Sequence, residues 1–417
     1  MNIFKRRTLT SIATIFLAVG SMTISTAGAD AALFGPSSNY LVKITPATQA
    51  AVEKAIKSSG GEINARFEYA FNGFVIKLPD ALIPLLKRIP NVLTVEKDMP
   101  MDGLGIQQNQ TPTPSWGIDR IDQREAVSTT AGYQGTYGYR SAGTGATIYI
   151  GDTGIYPSAD LAGRISSVGY SGIADGNGPV DCNGHGTHVA TTAAGTQYGI
   201  AKNATVVPVR ILDCTGRGSY ASVIAGLDWI LSPLNTNSKS QAVVNLSIGG
   251  SASTILNDAI LKLTNAGITV VAAAGNDNID ACKASPASAP TAITVGATTI
   301  ADAKAYFSNW GSCVDINAPG VGITGGWIDS PENTRTISGT SMATPHVTGA
   351  VAVFLGLNPG ASVAQVTAGL LAQSTLDAVT GNVASTPNRM LYVSPTDGGP
   401  AIVAPTAAVK TISRVTH

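Results

Sequence analysis

The feature that most constrains the fold is a repeated alternation, after residue 145, of short apolar runs with runs of helical pattern. The apolar runs include ATIYIGDTG (146–154), TVVPVRIL (205–212) and ITVVAAAGN (268–276), and YASVIAGLDWIL (220–231) is typical of the helical ones. The apolar runs lack the polar alternation of a sheet with one face in water, so they predict a parallel sheet covered by helices on both faces. This part of the chain is therefore predicted to be an α/β domain, with functional groups at the carboxyl ends of its strands.

A smaller unit precedes this domain. Residues 39–98 are predicted to form a strand, a helix, two strands about Asn72-Gly73, a short helix and a last strand. This β-α-β-β-α-β order matches the split-βαβ, or ferredoxin-like, α+β motif. The polar stretch GIQQNQTPTPS (105–115) then predicts an exposed linker of the kind that proteases cut.

The two ends of the chain predict segments outside the folded domains. Residues 1–31 combine a basic start, an apolar stretch and small residues up to Ala31, which is the pattern of a secretory signal peptide. No later run is expected to be long and apolar enough to cross a bilayer, so the protein is predicted to be secreted, with no membrane contact after signal removal. Residues 396–417 are rich in Pro, Ala and Thr and predict a flexible C-terminal tail.

Charge and cysteine content narrow the function classes. Charged residues make up 12% of the 417 positions and the formal net charge is zero, so no nucleic-acid partner is predicted. Cys182, Cys214, Cys282 and Cys313 leave three disulfide connectivities open. Zinc is the alternative, because CNGHGTH offers one cysteine and two histidines, but no second Cys/His cluster completes four ligands.

Three glycine-rich turns carry an aspartate, a histidine and a serine. Asp152 ends a strand in YIGDTGI, His185 opens a helix in NGHGTHVA, and Ser341 opens another in SGTSMATPH. Pro345 is expected in the first helical turn, where its missing N–H is tolerated, so Ser341 is predicted at or near a helix N-terminus. Each residue alone has an ordinary explanation as a cap or turn residue. Together they favour nucleophilic catalysis, in which the aspartate orients the imidazole and the imidazole takes the hydroxyl proton.

With the motifs DTG, GHGTHVA and GTSMATPH in this order, the chain resembles the subtilisin-like serine peptidases, and within them the proteinase K-like secreted branch. The resemblance implies an inhibitory propeptide domain over 32–106 and a subtilisin-like three-layer peptidase domain over 107–395. It also implies a secreted serine endopeptidase that acts through an acyl-enzyme, with broad specificity and an apolar first pocket. The enzyme would be made as a precursor that cuts itself between Gly105 and Thr111.

The resemblance also implies roles for individual residues. Asp152 would be the orienting carboxylate, His185 the general acid and base, and Ser341 the nucleophile. Asn276 in VVAAAGNDN would donate its side-chain N–H to the oxyanion, beside the backbone N–H of Ser341. His188 and His346 would be structural.

The resemblance implies that substrate binds as an added strand between two edge segments, GRGSY (216–220) and SIGG (247–250). Ala273, Ala274 and Gly275 would line a broad apolar first pocket, and Tyr220 would border the fourth. Arg217 departs from the small residue usual in the family, which leaves the second and third pockets undefined; Thr191 replaces a glycine of the family pattern. The predicted substrate-binding residues are Gly216, Gly218, Tyr220, Ser247, Ile248, Gly249, Ala273 and Gly275.

The resemblance further implies two disulfides, Cys182–Cys214 and Cys282–Cys313. It implies one structural calcium ion, held by the carbonyls of Pro290 and Ala292 and the carboxylate of Asp315, which are oxygen ligands suited to a hard cation. Further calcium sites near Asp119 and Asp122 stay open, because the residues that follow them diverge from the family pattern. The expected partners are protein and peptide substrates and the chain's own propeptide as an intramolecular inhibitor, and a monomer is expected.

Two other functions share part of this pattern. An esterase on an α/β-hydrolase fold is suggested by GTSMA, which approaches G-x-S-x-G, but Ala343 replaces the last glycine and the order Asp, His, Ser is not that of the hydrolases. A non-catalytic binding module on the same fold would be indicated by the loss of a triad member. No member is missing.

Overall fold

The computed structural model describes residues 35–46, 49–67, 72–97, 108–127 and 135–395. The chain divides into two compact units, Met1–Gly103 and Leu104–His417. The predicted signal peptide over 1–31 and the predicted tail over 396–417 lie outside the described residues.

The smaller unit contains a four-stranded antiparallel sheet in the order β2-β3-β1-β4. In α1, the buried residues Val52 and Ile56 are four positions apart, so they lie on one helix face and share an apolar cluster with Phe74 and Ile76 of the sheet. This order of elements confirms the ferredoxin-like expectation. A 3₁₀ turn at Asp80–Leu82 leads into α2. The elements are β1 (Ser37–Ile44), α1 (Gln49–Ser58), β2 (Glu62–Phe67), β3 (Gly73–Pro79), α2 (Ile83–Leu86) and β4 (Val92–Lys97).

The larger unit is built on a nine-stranded sheet. The strands of this unit are β5 (Gln108–Gln110), β6 (Tyr137–Tyr139), β7 (Thr147–Asp152), β8 (Tyr170–Ser171), β9 (Thr205–Arg210), β10 (Ala242–Leu246), β11 (Gly250–Ser251), β12 (Thr269–Ala273), β13 (Ala284–Ser285), β14 (Ile293–Thr298), β15 (Ile316–Pro319), β16 (Ile323–Gly326), β17 (Thr334–Ile337), β18 (Thr375–Leu376) and β19 (Arg389–Met390). Nine of them form one sheet in the order β18-β19-β15-β14-β12-β10-β7-β9-β8. Every pairing in this sheet is parallel except that of β18 with β19.

Helices cover both faces of this sheet. The helices of the larger unit are α3 (Trp116–Arg120), α4 (His185–Ala194), α5 (Tyr220–Leu231), α6 (Thr254–Asn265), α7 (Thr340–Leu357) and α8 (Val363–Gln373). In β7, Ile148 and Ile150 belong to the apolar cluster that contains α4, α7 and α8, whereas Tyr149 between them belongs to the cluster that contains α5 and α6. Because successive strand residues point to opposite faces, both faces are buried and the domain has the three predicted layers.

The predicted exposed linker is wrong for much of its described part. Gln108–Gln110 forms β5, which pairs antiparallel with β6, and Thr113 and Ser115 are buried. The side chain of Gln110 donates to the Gln197 carbonyl at 2.9 Å and accepts from the Lys202 ammonium at 2.9 Å. Strand pairing uses backbone groups, so a polar stretch can be ordered without an apolar pattern.

One helix among the described residues, α7, is long and apolar enough by length and composition to span a membrane, contrary to the expectation from the sequence. However, 83% of its 18 residues are buried inside the larger unit. It contributes Met342, Val347, Val351 and Phe354 to the apolar cluster on its face of the sheet. Such burial is typical of a core helix, and its apolar composition is explained by packing on all sides.

Candidate active site

Asp152 and His185 form a hydrogen-bonded pair at the carboxyl edge of the sheet. Asp152 is the last residue of β7 and is fully buried, and His185 is the first residue of α4. His185 Nδ1 lies 2.8 Å from Asp152 Oδ1. A carboxylate oxygen only accepts, so Nδ1 carries the proton of the neutral ring and Nε2 keeps a lone pair.

The surroundings of His185 tune its basicity. Burial lowers the pKa of His185, but the charge of Asp152, the hydrogen bond to it and the charge of Asp181 outweigh burial, so the pKa is raised above its ordinary value. The His185 side chain remains 26% exposed. A raised pKa makes Nε2 a stronger base once it has lost its proton, which suits a group that removes a proton from a hydroxyl.

The position of α4 depends on Asp181, which the sequence analysis did not single out. This buried carboxylate accepts the backbone N–H groups of Asn183, Gly184 and Thr187 at 2.8–2.9 Å. It also accepts the Thr153 hydroxyl at 2.9 Å, next to Asp152 in the chain. A negative charge is stabilising at a helix N-terminus, where the first N–H groups lack partners. The available signal was an aspartate just before a predicted helix, which is typical of capping.

Gly184 shows why a glycine precedes His185. Its φ is +106°, in the left-handed region that favours glycine, and it is the residue from which α4 starts. A Cβ at this position would stand 2.3 Å from Cε2 of Trp327. Both backbone conformation and space therefore require glycine here.

Ser341 is the second residue of α7, so the prediction of a serine at a helix N-terminus is confirmed. Its hydroxyl donates to the Ser247 carbonyl at 3.0 Å. Among the described residues, no hydrogen bond joins this hydroxyl to His185. Hydrogen bonds between catalytic groups are often long or poorly aligned in substrate-free structures.

Pro345 corrects one detail of the sequence analysis. It is the sixth residue of α7 and so lies in the second turn rather than the first, because α7 already begins at Thr340. A proline there removes the N–H that would bond to the carbonyl of Ser341. The Ser247 hydroxyl donates to that carbonyl at 2.9 Å.

Asn276 lies in the loop that follows β12 and faces the start of α7. Its Oδ1 accepts both the backbone N–H and the hydroxyl of Thr340 at 2.8 Å, which directs its Nδ2 amide elsewhere. A Cβ built on Gly339 would stand 3.5 Å from Asn276 Nδ2 and 3.5 Å from the backbone nitrogen of Ser341. The side-chain amide of Asn276 and the backbone N–H of Ser341 thus border the same position, which is free of side-chain atoms because residue 339 is glycine.

A second asparagine, Asn309, holds this loop and was missed by the sequence analysis. Its Nδ2 donates to the Ala274 carbonyl at 2.9 Å, and its Oδ1 accepts the backbone N–H groups of Asp277 and Ile279 at 3.0 Å. Gly275 has a φ of +104°, and a Cβ there would approach Asn309 Nδ2 to 2.3 Å. No local pattern marks Asn309, because its partners are distant in sequence.

A cavity of about 750 Å³ runs beside His185. Tyr220, the last residue of the first predicted edge segment, donates its hydroxyl to the carbonyl of Ser251, the residue directly after the second segment, at 2.6 Å. Arg217 also lines the cavity. Ala273 and Gly275 are not among the lining residues, and Ala273 is buried at the end of β12. The predicted substrate residues that line the cavity are Gly216, Gly218, Tyr220, Ser247, Ile248 and Gly249.

The other two described histidines are buried. His188 Nε2 lies 3.1 Å from the carbonyls of Ile323 and Arg335, and His346 Nδ1 lies 2.8 Å from the Met342 carbonyl. Burial lowers the pKa of each to about 4, so both rings are neutral at pH 7. Their environment is that of structural side chains.

The four cysteines form the two disulfides that the resemblance implies, Cys182–Cys214 and Cys282–Cys313. Cys182 therefore has no thiolate to offer a metal, which removes the zinc alternative for CNGHGTH. The first disulfide lies near the ion pair of Arg210 with Asp175.

The residues implied for calcium lie at the starts of two neighbouring strands. Pro290 and Ala292 precede β14, and Asp315 precedes β15, with which β14 pairs. Asp315 Oδ2 accepts the Thr294 N–H at 2.8 Å, and the Asp315 N–H donates to the Thr294 carbonyl at 2.9 Å. This places the carboxylate beside the strand that follows Ala292, and the proposed donors are all oxygens, as calcium prefers.

Comparison with known proteins agrees with this architecture. The family model of the subtilase family matches residues 143–395, and that of the peptidase inhibitor I9 matches residues 37–102. An extracellular serine proteinase of Thermus sp. (strain Rt41A) is 46% identical over 345 residues, which cover 82% of this chain and 81% of that protein. A cuticle-degrading serine protease of Arthrobotrys oligospora is 41% identical over 328 residues, 77% of each chain.

Among solved structures, the crystal structure of a cold adapted subtilisin-like serine proteinase matches with a TM-score of 0.61 and 43% identity. The match covers 66% of this chain and 97% of that one. These findings confirm the resemblance and the fold class inferred from the motifs. Since the subtilase match alone spans more than half of the sequence, the chain belongs to the subtilase family, as a subtilisin-like serine endopeptidase preceded by an inhibitor I9-type propeptide.

Proposed function

We propose that this protein is a secreted endopeptidase in which Ser341, His185 and Asp152 form the catalytic triad. The observation that carries the proposal is the 2.8 Å contact of His185 Nδ1 with the buried Asp152, in a chain of the subtilase family. This contact holds the imidazole with Nε2 free to act as a base. Ser341 supplies a hydroxyl at the N-terminus of α7, where the helix dipole favours the negative charge that develops.

The reaction proceeds in two halves. Ser341 Oγ attacks the carbonyl carbon of the scissile bond while His185 Nε2 takes the hydroxyl proton, and Asp152 stabilises the imidazolium that forms. The proton then passes from Nε2 to the leaving amine, which departs and leaves an ester on Ser341. Water attacks this ester with the same proton transfers in reverse order, so the acid product leaves and the free hydroxyl is restored.

The tetrahedral oxyanion would be stabilised by Asn276 Nδ2 and the backbone N–H of Ser341. Support comes from the position of both donors around Gly339 and from Thr340, which holds Asn276 through its Oδ1. Donors held in advance need no reorganisation when the negative charge develops, which is why they favour the transition state over the bound substrate.

The peptide substrate would lie as an extended strand in the cavity beside His185, between residues 216–220 and 247–250. Backbone groups on both sides would bind the peptide irrespective of its sequence, which supports a broad specificity. An apolar first pocket at Ala273, Ala274 and Gly275 remains part of the proposal. Ala273, at the end of β12, and Ala274, directly after it, are small and buried.

The direct test combines activity with chemical labelling. The purified mature protein is incubated with denatured casein, with and without a serine-directed organophosphorus reagent, and the labelled residue is identified by mass spectrometry. We expect casein cleavage, its loss on treatment, and a single modified residue, Ser341. Casein cleavage that survives the reagent, or a label on another residue, would contradict the proposal.

Asn276→Leu should lower kcat by about 10²–10³-fold with little change in KM, the loss typical of removing one oxyanion donor in this kind of enzyme. The leucine has a similar size but no N–H. Asn203→Leu, the same change at an exposed loop position, is the matched control and should retain the wild-type kcat. Steady-state kinetics on one peptide substrate separates the two constants. A change confined to KM would assign Asn276 to substrate positioning instead.

The processing and location of the protein are part of the same proposal. The inhibitor I9 match over 37–102 supports a propeptide that inhibits the peptidase domain of its own chain until it is cut away. Secretion is supported by the signal-like residues 1–31 and by relatives such as the extracellular proteinase of Thermus. The mature enzyme is proposed to be a monomer, with proteins and peptides as its partners.

One calcium ion is proposed to bind Asp315 and the carbonyls of Pro290 and Ala292. An ion there would cross-link the starts of β14 and β15 and so supply stability rather than chemistry. Because only the folded chain assembles these ligands, calcium at a hundredfold excess over its Kd would stabilise the fold by about 2.7 kcal/mol.

Calcium removal should therefore lower the unfolding temperature of the mature domain, and Asp315→Asn should make that shift smaller. Unfolding is followed by circular dichroism in excess calcium and in EDTA, with activity blocked by the organophosphorus reagent. Asp228→Asn, the same change on the exposed face of α5, is the control and should keep the full calcium effect. An equal EDTA effect in wild type and Asp315→Asn would remove Asp315 from the site.

A further inference from the structure

The carbonyl of the proposed nucleophile has an unusual hydrogen-bond partner. In α7, Pro345 stands four residues after Ser341 and has no N–H, so the normal helical donor for the Ser341 carbonyl is missing. The Ser247 hydroxyl donates to this carbonyl at 2.9 Å, from the segment that follows β10. A side chain 94 positions away in sequence thus replaces a backbone donor.

The proton of the Ser247 hydroxyl is directed by its other contact. Asn245 Nδ2 donates to Ser247 Oγ at 2.9 Å, so this oxygen acts as an acceptor there and its own proton is left for the Ser341 carbonyl. Asn245 is itself oriented by Thr348, whose hydroxyl donates to Asn245 Oδ1 at 2.8 Å and lies 3.1 Å from the Thr344 carbonyl. Asn245 and Thr348 are fully buried and Ser247 is 3% exposed.

These contacts form a closed path between two elements. The path runs from Thr348 in α7 to Asn245 in β10, on to Ser247, and back to Ser341, two turns before Thr348 in α7. The backbone of Ser247 takes part as well, because its carbonyl accepts the Ser341 hydroxyl at 3.0 Å. Ser247 therefore contacts both the carbonyl and the hydroxyl of Ser341, while lining the proposed substrate cavity.

We propose that Ser247 is a positioning residue for the nucleophile Ser341. The Ser247 hydroxyl, directed by Asn245 and Thr348, replaces the backbone donor that Pro345 removes. It thereby holds Ser341 at a fixed position relative to the predicted substrate-binding segment 247–250. A carbonyl left without a donor in this buried place would turn toward another partner and carry the Ser341 backbone with it. A displacement of an ångström or less at a reacting atom is enough to slow an enzyme markedly. This inference rests on the proposed function of Ser341.

The test is a double-mutant cycle on Ser247 and Pro345, with rates normalised to the fraction of enzyme that the organophosphorus reagent labels. Ser247→Ala keeps the backbone that would bind substrate, so we expect kcat to fall about tenfold while KM stays within about twofold. Pro345→Ala restores an N–H at position 345, which can donate to the Ser341 carbonyl. In that background, Ser247→Ala should change kcat by less than about twofold.

Three results would overturn the inference. They are an unchanged kcat in Ser247→Ala, an effect confined to KM, and the same loss of kcat in both backgrounds. If Ser247 were only structural, Ser247→Ala would lower the unfolding temperature, and its effect on kcat would be the same with proline or alanine at position 345. If the organophosphorus reagent does not label Ser341 in the wild type, the proposed function is refuted. Failure of the proposed function is therefore distinguishable from failure of the positioning role of Ser247.

A second pair of variants decides the matter if Ser247→Ala or Pro345→Ala does not fold. Thr348→Val has nearly the same shape as threonine but removes the hydroxyl that orients Asn245, so kcat should fall with KM unchanged. Thr348→Ser restores the hydroxyl and should restore kcat. Equal kcat in the valine and serine variants would contradict the role of this path in positioning Ser341.

Discussion

His185→Ala should abolish peptide hydrolysis, with kcat lower by about 10⁶-fold, the loss typical of removing the histidine of a Ser-His-Asp triad. Without the imidazole, nothing takes the proton of Ser341 as it attacks. Asp152→Asn should lower kcat by about 10⁴-fold, because the amide no longer holds His185 with its proton on Nδ1. The kcat of each variant is measured on a chromogenic peptide with the mature enzyme.

The controls separate a catalytic from a structural effect. Asp228→Asn makes the same chemical change at an exposed position of α5 and should leave kcat unchanged. Circular dichroism should show the native spectrum for all three variants, although Asp152→Asn changes a fully buried group and can lower the unfolding temperature. Activity within tenfold of the wild type in either triad variant would refute the assignment.

Ser341→Ala should leave the precursor uncut, whereas the wild type should yield two fragments that co-purify. The reason is that the enzyme's own active site would make the proposed cut between Gly105 and Thr111, and alanine has no hydroxyl with which to form the acyl-enzyme. The chains are expressed without the signal peptide in a host that lacks extracellular proteases, and the products are analysed by mass spectrometry.

Two further samples sharpen this experiment. Ser240→Ala, at an exposed loop position, should process normally. A trace of mature wild-type enzyme, added to the Ser341→Ala precursor, should cut it at the same bond, which shows that the bond is accessible and that only the nucleophile is lacking. Cleavage of the Ser341→Ala chain at that bond with no enzyme added would falsify self-processing.

Much of the fold was predictable because its signals are local. The apolar run 146–154 contains β7, and the helical run 220–231 coincides with α5, since strand and helix periods are visible within one segment. The six elements of the smaller unit were predicted in the right order for the same reason. Motifs around Asp152, His185 and Ser341 also indicated the site, because glycine-rich strand-to-helix turns with these side chains rarely occur together by chance.

The sequence-based predictions were wrong where the structure of a segment depends on contacts with residues that are distant in the sequence. Residues 108–115 were expected to form an exposed linker, yet β5 pairs with β6 and Lys202 contacts Gln110. Pro345 was expected in the first turn of α7, but the helix begins at Thr340, and the carbonyl that the proline leaves unpaired accepts the Ser247 hydroxyl. The apolar composition of α7 reflects burial inside the domain rather than a membrane.

The sequence by itself determined most element types, the two-unit organisation, the family and the side chains that we propose for the chemistry of the site. Only the tertiary structure decided how those side chains are held: Asp181 at the start of α4, Asn309 behind the Asn276 loop, and Ser247 against Ser341. The physical reason is that periodicity and capping act within a few residues. A hydrogen bond between distant segments depends on distance and direction, and these exist only after the sheet and its helices have packed.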